Sequence, residues 1–240
     1  MMIHRFFCPG PLSAGASVVL PDDAAHHATR VLRLRAESAV ELFDGAGTAC
    51  PGTLLSTKAP VSVALGAPRP VEPEPRCHIT LVQALASGDK MDWVVQKAVE
   101  LGVSVIQPVA AKRSVLRLDG ARADKRVAHW QKVAVSACEQ SGRNRLPEIA
   151  PVCSLEHWLA TASGGWVLAP AAAQALRTRA APPDGRICLL VGPEGGWDDA
   201  ELAAMRARGI EAVSLGPRVL RTETAGLAAV AAIQALWGDY

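Results

Sequence analysis

The sequence predicts an α/β protein, with a parallel sheet in its C-terminal part and a small β-barrel in front of it. Near the C-terminus one pattern occurs twice: an apolar run, a glycine-containing turn and then a helix. A strand–helix–strand pattern precedes these two units, whereas the first 70 residues show mostly short apolar runs between turn signals. Continuous apolar runs that alternate with helices are typical of buried parallel strands, and short, closely spaced runs are typical of small barrels.

The N-terminal region, residues 1–70, is predicted to be the barrel. Its strands are expected at 17–20, 39–43, 52–55 and 61–65, with one inserted helical stretch at 22–35. Basic residues on and just after that stretch, taken with an arginine near the N-terminus, predict an RNA-facing surface: Arg5, His27, Arg30 and Arg33. A histidine considered alone fits an ordinary polar surface residue better.

A proline-rich stretch separates the two regions. Four prolines occur between residues 68 and 76, and such a composition favours a stiff, extended spacer. We therefore predict a linker at 71–76 and a second domain at 77–240.

The second domain begins with a βαβ unit. A strand at 79–85, a helix at 89–101 with Asp89 as its cap, and a strand at 103–109 imply a parallel sheet with a right-handed crossover. The elements predicted next are a long amphipathic helix near 121–140, a helix at 155–160, a strand at 165–170 and a helix at 171–177.

The two glycine-containing units follow. The first is a strand at 187–191, a turn at 192–197 and a helix at 198–208 with an Asp198–Glu201 capping box; the second is a strand at 210–215, a turn at 216–223 and a helix that Thr222 or Thr224 can cap. We expect the two strands to be neighbours and their turns to form one backbone-lined pocket, because ligands of open α/β sheets bind at the carboxyl ends of strands. The sequence has neither the P-loop motif G-x-x-x-x-G-K-[ST] nor the dinucleotide-binding motif G-x-G-x-x-G. The pocket is therefore predicted to take a ligand without phosphates.

Composition limits the classes of partner. Six cysteines are scattered without a C-x-x-C pair, which argues against a metal site or a disulfide framework and for a reduced, cytoplasmic location. No apolar stretch is long enough to span a membrane.

Residues 110–145 carry nine Lys or Arg against three acids, a net +6, which suits either a phosphate backbone or a solvated helix face. The last helix is apolar on nearly every face, so either its own chain or a second subunit must cover it.

Six blocks resemble one enzyme family over nearly the whole chain. HRFF (4–7), VLRL (31–34), GDKMDWVVQKAVELGV (88–103), WQKVAVSACEQSGRN (130–144), VGPEGGW (191–197) and LGPRVLRTETA (215–225) are similar to the signature blocks of small-subunit (16S) ribosomal RNA uridine N3-methyltransferases of the RsmE type, in the SPOUT superfamily. The resemblance implies a SPOUT-type parallel sheet with a trefoil knot, a PUA-like N-terminal barrel, a homodimer, S-adenosyl-L-methionine as cofactor, and the small ribosomal subunit or its RNA as substrate.

The resemblance also implies roles for residues. The cofactor would be held by Leu168, Pro170, Gly192, Glu194, Gly195, Gly196, Leu215, Gly216, Leu220 and Thr222, although Glu194 could be only a turn residue. Further RNA contacts would come from Lys112, Arg113, Arg143, Asn144 and Arg218.

Methylation at uracil N3 requires that the N3 proton leave and that the charge spreading onto O2 and O4 be stabilised. Arg221 is the first candidate for the stabilising group, because arginine stays charged and offers forked donors. Glu223 and Glu139 are candidates for the base or for orienting that arginine, and Glu223 fits a helix-start carboxylate equally well. The alternatives are a SPOUT methyltransferase acting on another RNA, an NAD-dependent enzyme, against which the missing fingerprint argues, and a non-catalytic RNA-binding protein.

Overall fold

The computed structural model describes residues 3–240 and divides the chain into two compact units. The N-terminal unit comprises the chain up to Glu74 together with Val135–Leu146, and the C-terminal unit comprises Pro75–Ala134 and Pro147–Tyr240. Residues 1–2 of the predicted barrel lie outside the described residues. Nothing in the sequence pattern indicated that Val135–Leu146 would join the N-terminal unit, and the predicted limits of 1–70, 71–76 and 77–240 stay a prediction.

The N-terminal unit is built on a five-stranded mixed sheet in the order β1-β3-β4-β5-β2. Its strands are β1 His4–Phe7, β2 Ser17–Val19, β3 Ala39–Phe43, β4 Ala49–Ser56 and β5 Ser62–Leu65. Strand β1, which the sequence did not indicate, pairs with β3 in parallel, and the other pairs are antiparallel. Helix α1, Asp22–His26, continues as one π-helical turn at His27–Val31 and stops before 35, because Arg33 has φ of +52°.

The C-terminal unit contains a seven-stranded sheet in which every pair is parallel, so the predicted α/β class is confirmed. Its elements are β6 His78–Ala84, α2 Lys90–Glu100, β7 Val105–Ala110, α3 Gly120–Ser141, β8 Glu148–Ile149, β9 Cys153–Ser154, α4 Leu155–Thr161, β10 Gly165–Leu168, β11 Arg186–Val191, α5 Asp199–Ala207, β12 Ile210–Val213 and α6 Thr222–Trp237. Helix α3 starts in this unit and ends in the other. The trefoil knot stays a prediction, since strand order and pairing do not describe threading.

The strand order corrects one expectation. Strands β11 and β12 are not neighbours, because β10 lies between them and pairs with both: Trp166 is opposite Leu189 on one side and Glu211 on the other. The order of strands in a sheet need not follow their order along the chain, and Trp166 and Val167 are as buried as central strand residues should be. Three loops therefore meet at the carboxyl edge of the sheet, where two were expected.

Two local predictions were wrong and one is confirmed. Residues 171–177 are not a helix; only a 3₁₀ turn forms at Leu176–Thr178, because Leu176 N–H donates to the Ser214 carbonyl (2.9 Å) and ties the segment to the end of β12. Neither threonine caps α6, whose N-cap is Arg221 without a side-chain bond. The capping box of α5 forms as predicted at its first turn. Among residues 3–240, no helix is long and apolar enough to cross a membrane, and no group of side chains is arranged to hold a metal ion.

Candidate active site

A cavity of about 650 Å³ lies at the carboxyl edge of the C-terminal sheet. The loops that follow β10, β11 and β12 form its walls, and Lys90 in the first turn of α2 adds a charged side chain. This volume falls within the range of about 300–1,000 Å³ that small-molecule sites occupy. Most of the residues predicted to hold a cofactor line the cavity: Leu168, Pro170, Gly192, Glu194, Gly196, Leu215, Gly216, Leu220 and Thr222.

The loop after β11 is held close to its neighbours by two glycines. A Cβ atom on Gly192 would lie 3.1 Å from the indole Nε1 of Trp197, and one on Gly195 would lie 3.0 Å from Cβ of Arg113. The Arg113 guanidinium donates to the carbonyls of Gly195 (3.2 Å) and Trp197 (3.3 Å). A side chain at Gly192 or Gly195 would therefore fit only if the Trp197 or Arg113 side chain shifted by a few tenths of an ångström.

Lys112 acts on the same loop from outside. Its ammonium donates to Asp198 (2.9 Å), and this contact, with the Ala200 N–H, lowers the pKa of the Asp198 carboxyl. Lys112 and Arg113, which the sequence assigned to RNA, thus make contacts that support the wall of the cavity.

A buried hydrogen-bond chain joins this loop to α6. The amide Nε2 of Gln83 donates to the hydroxyl of Thr222 (3.0 Å), which in turn donates to the carbonyl of Gly192 (2.5 Å). Gln83 is fully buried and Thr222 is 6% exposed. Thr222 therefore acts as a connector between two walls of the cavity, a role that the sequence pattern did not reveal.

The charged wall of the cavity centres on Lys90. Glu194 accepts hydrogen bonds from the Ser87 N–H (3.1 Å), the Ser87 hydroxyl (2.9 Å) and the Lys90 ammonium (3.0 Å). Burial alone would raise the pKa of Glu194, but these hydrogen bonds outweigh it and lower the pKa to about 2. Glu194 is therefore an ionised anchor for Lys90. Sequence reasoning missed Lys90 and Ser87; their position just before and at the start of α2, at the end of β6, was the available signal.

The two predicted catalytic residues of this region lie on the cavity wall. Arg221 is exposed, and its guanidinium has no hydrogen bond or ion pair within residues 3–240. Arg218 is likewise exposed on the wall, with no such partner in the described chain. Glu223 is close to Lys90 (3.8 Å), and its Oε2 is buried without a hydrogen-bond partner among the described atoms. The donors of both arginines are thus available to a ligand.

Glu139, the third catalytic candidate, belongs to the N-terminal unit. It accepts a hydrogen bond from the Phe7 N–H (3.1 Å) and lies 3.9 Å from the ring of His27. Burial raises the pKa of this carboxyl, against the Phe7 hydrogen bond and the charge of Arg5. Glu139 therefore helps to attach the segment 135–146 to β1.

Arg5 contributes to the same attachment. Its guanidinium pairs with Glu41 and donates to the Asn144 side chain (2.5 Å) and the Arg143 carbonyl (3.2 Å). Burial lowers the pKa of the half-buried Arg143. Arg30 and Arg33, by contrast, are exposed and have no side-chain partner within residues 3–240. Of the basic residues predicted in this unit, these two have their donors free.

Comparison with known proteins agrees with this geometry. A family model described as an RNA methyltransferase domain matches residues 72–234, and one described as an RNA methyltransferase PUA domain matches residues 20–62. The chain is 34% identical to the ribosomal RNA small subunit methyltransferase E of Mycobacterium bovis, over 98% of this chain and 93% of that one. It matches the crystal structure of ribosomal RNA small subunit methyltransferase E from Neisseria gonorrhoeae bound to S-adenosyl methionine, with 42% identity, 99% of each chain covered and a TM-score of 0.93. It also matches a Legionella pneumophila structure with bound SAM, at 33% identity, full coverage of both chains and a TM-score of 0.94.

Proposed function

The chain belongs to the ribosomal RNA small subunit methyltransferase E family, and we propose that it transfers a methyl group from S-adenosylmethionine to N3 of a uridine in small-subunit (16S) ribosomal RNA. The observation that carries this proposal is the cavity at the carboxyl edge of the parallel sheet, whose three loops contain the residues predicted to bind the cofactor.

The residues of the cavity fit this cofactor. Bound there, S-adenosylmethionine supplies a methyl group on a positively charged sulfur. Leu168 and Pro170 offer an apolar wall, and the backbone of the loops at 192–196 and 215–220 offers hydrogen-bonding groups. Among the residues that line the cavity, two buried polar atoms lack a partner within the described chain, Nε1 of Trp197 and Oε2 of Glu223, and a bound group with matching polar atoms would satisfy them.

The side chains on the open side of the cavity suit the uridine. Arg221 has its donors free, so it can hydrogen-bond the oxygens of uracil and stabilise the negative charge that develops as the N3 proton leaves. Glu223 is the carboxylate of the same wall and can accept a proton or a hydrogen bond. Arg218 extends the positive charge outward, where an RNA backbone would pass.

We also propose how the remaining surfaces are used. Arg30 and Arg33 of the N-terminal unit, whose side chains are exposed and unpaired within the described residues, would contact ribosomal RNA. Helix α6 leaves Leu236 46% exposed, with Ala228 and Ala235 also exposed, and a second copy of the chain would cover these residues in a homodimer. Sedimentation equilibrium tests the dimer, and a monomer at micromolar concentration would contradict it. Such an enzyme would act in the cytoplasm, where ribosomal subunits are assembled.

The test of the activity uses small ribosomal subunits whose RNA lacks the modification. The protein is incubated with the subunits and methyl-labelled S-adenosylmethionine, and the RNA is digested to nucleosides for mass spectrometry. We expect labelled 3-methyluridine. A different labelled nucleoside would indicate a methyltransferase of other specificity, and RNA binding without any label would indicate a non-catalytic RNA-binding protein.

A further inference from the structure

One wall of the cavity combines three charged side chains from different elements. Lys90 comes from the first turn of α2, Glu194 from the loop after β11, and Glu223 from the first turn of α6. The Lys90 ammonium lies 3.0 Å from Glu194 and 3.8 Å from Glu223. The side chains of Lys90 and Glu223 are 31% and 17% exposed, so neither is a freely solvated surface group.

The three groups differ in how much of their bonding capacity is used. Glu194 is committed, with three donors on its Oε1. Lys90 has three N–H donors and spends one on Glu194. Its distance to Glu223 is too long for a hydrogen bond, and Glu223 Oε2 has no hydrogen-bond donor within residues 3–240 although it is buried. A cation with donors to spare thus faces an anion that lacks a donor.

This pair calls for a ligand group that carries both charges. An RNA phosphate at this point would meet an ammonium that is already paired with Glu194, and the Glu223 carboxylate beside it would repel the phosphate. The adenosine part of the cofactor can hydrogen-bond through its hydroxyls and ring nitrogens, but it carries no charge and so cannot neutralise both groups. An α-amino acid can, since its carboxylate accepts from an ammonium and its ammonium donates to a carboxylate.

Building on the proposed function, we propose that Lys90 and Glu223 together bind the zwitterionic amino-acid end of S-adenosylmethionine, with Lys90 on the carboxylate and Glu223 on the ammonium. Glu194 is then a positioning residue, which fixes the Lys90 ammonium through the contact at 3.0 Å. On this assignment the free oxygen of Glu223 serves cofactor binding instead of accepting a proton from the uridine, and Arg221 remains the group that faces the uridine.

Two adenosine compounds isolate this contact. S-adenosylhomocysteine carries the amino-acid end, and 5′-methylthioadenosine lacks it; both have an uncharged sulfur. Their dissociation constants are measured by isothermal titration calorimetry for the wild type, Lys90→Met and Glu223→Gln. Lys97→Met is the matched control, because Lys97 lies on the same helix, pairs with Glu100 (2.8 Å) and does not line the cavity. Lys90→Arg keeps the charge and checks that the loops remain in place.

We expect Lys90→Met and Glu223→Gln each to weaken binding of S-adenosylhomocysteine by about tenfold or more, the usual cost of losing one charged hydrogen bond. Both variants should bind 5′-methylthioadenosine as the wild type does, Lys97→Met should bind both compounds normally, and Lys90→Arg should recover part of the loss. Equal weakening of both compounds, or no weakening of either, would overturn the proposal while leaving the methyltransferase function intact. A wild-type protein that binds neither compound would overturn both.

Discussion

Replacing Thr222 by valine tests whether the buried connector holds the cavity together. Valine keeps the shape of threonine but removes the hydroxyl that accepts from Gln83 and donates to the Gly192 carbonyl. The side chains of Gln83 and Thr222 are both buried. In the variant the Gly192 carbonyl loses the hydroxyl that donates to it. Two lost hydrogen bonds at about 1 kcal/mol each predict a fall of roughly 2 kcal/mol in the free energy of unfolding of the C-terminal unit.

Tryptophan fluorescence is a suitable assay, because all six tryptophans of the chain lie in the C-terminal unit. Urea unfolding of Thr222→Val is compared with that of Thr224→Val, which makes the same chemical change two residues later on an exposed side chain. We expect Thr224→Val to stay within about 0.5 kcal/mol of the wild type. Equal unfolding free energies for the two variants would refute the claim that the Thr222 hydroxyl stabilises the C-terminal unit.

Three further outcomes follow from the same contacts. Arg221→Ala should lower turnover by about 100-fold or more, as loss of one charge-stabilising donor does, with little change in cofactor affinity by calorimetry; near-normal turnover would remove Arg221 from catalysis. Burial would raise the pKa of Glu194, but hydrogen bonds hold it at about 2 instead of 4.5, so this carboxylate stabilises the C-terminal unit above pH 4.5 and the contribution is lost as the pH falls towards 2. In urea unfolding at several pH values, Glu194→Gln should therefore show a weaker fall of the unfolding free energy between pH 4.5 and 2 than the wild type. The same pH profile for both proteins would contradict the role given to Glu194. Arg5→Met should lower the thermal stability of the N-terminal unit, because Arg5 holds contacts inside that unit. Arg30→Met should leave the stability unchanged and reduce the salt dependence of RNA binding. A stable Arg5→Met variant with a reduced salt dependence of RNA binding would show instead that Arg5 faces the RNA.

The sequence predicted the elements of the C-terminal unit better than their arrangement. Apolar runs and caps located β6, α2, β7 and α5 to within a few residues, because these signals are local. The position of β10 between β11 and β12 depends on which strands pair in space, and no local signal encodes that choice. The helix predicted at 171–177 is absent for a related reason. The alanines of this segment favour a helix, but the hydrogen bond from the Leu176 N–H to the Ser214 carbonyl, just after β12, holds the segment in another conformation.

For the site, sequence motifs indicated the loops but not the contacts that shape them. Glycine turns at strand ends predicted the cavity, because the positions of glycines at the ends of apolar runs can be read directly from the sequence. The roles of Lys90 and Gln83 depend on side chains that lie more than 100 residues from their partners, Glu194 and Thr222, so they were found only in three dimensions. Arg5 illustrates the converse: an arginine predicted to face RNA uses both terminal nitrogens of its guanidinium for contacts inside the N-terminal unit.

Amide hydrogen exchange with and without S-adenosylmethionine tests most directly the claim that three loops of one sheet edge bind this cofactor. The account predicts that saturating cofactor slows exchange in all three loops, at 168–171, 192–197 and 215–222, which line the same cavity. Unchanged exchange in these loops, or protection confined to residues outside them, would contradict it.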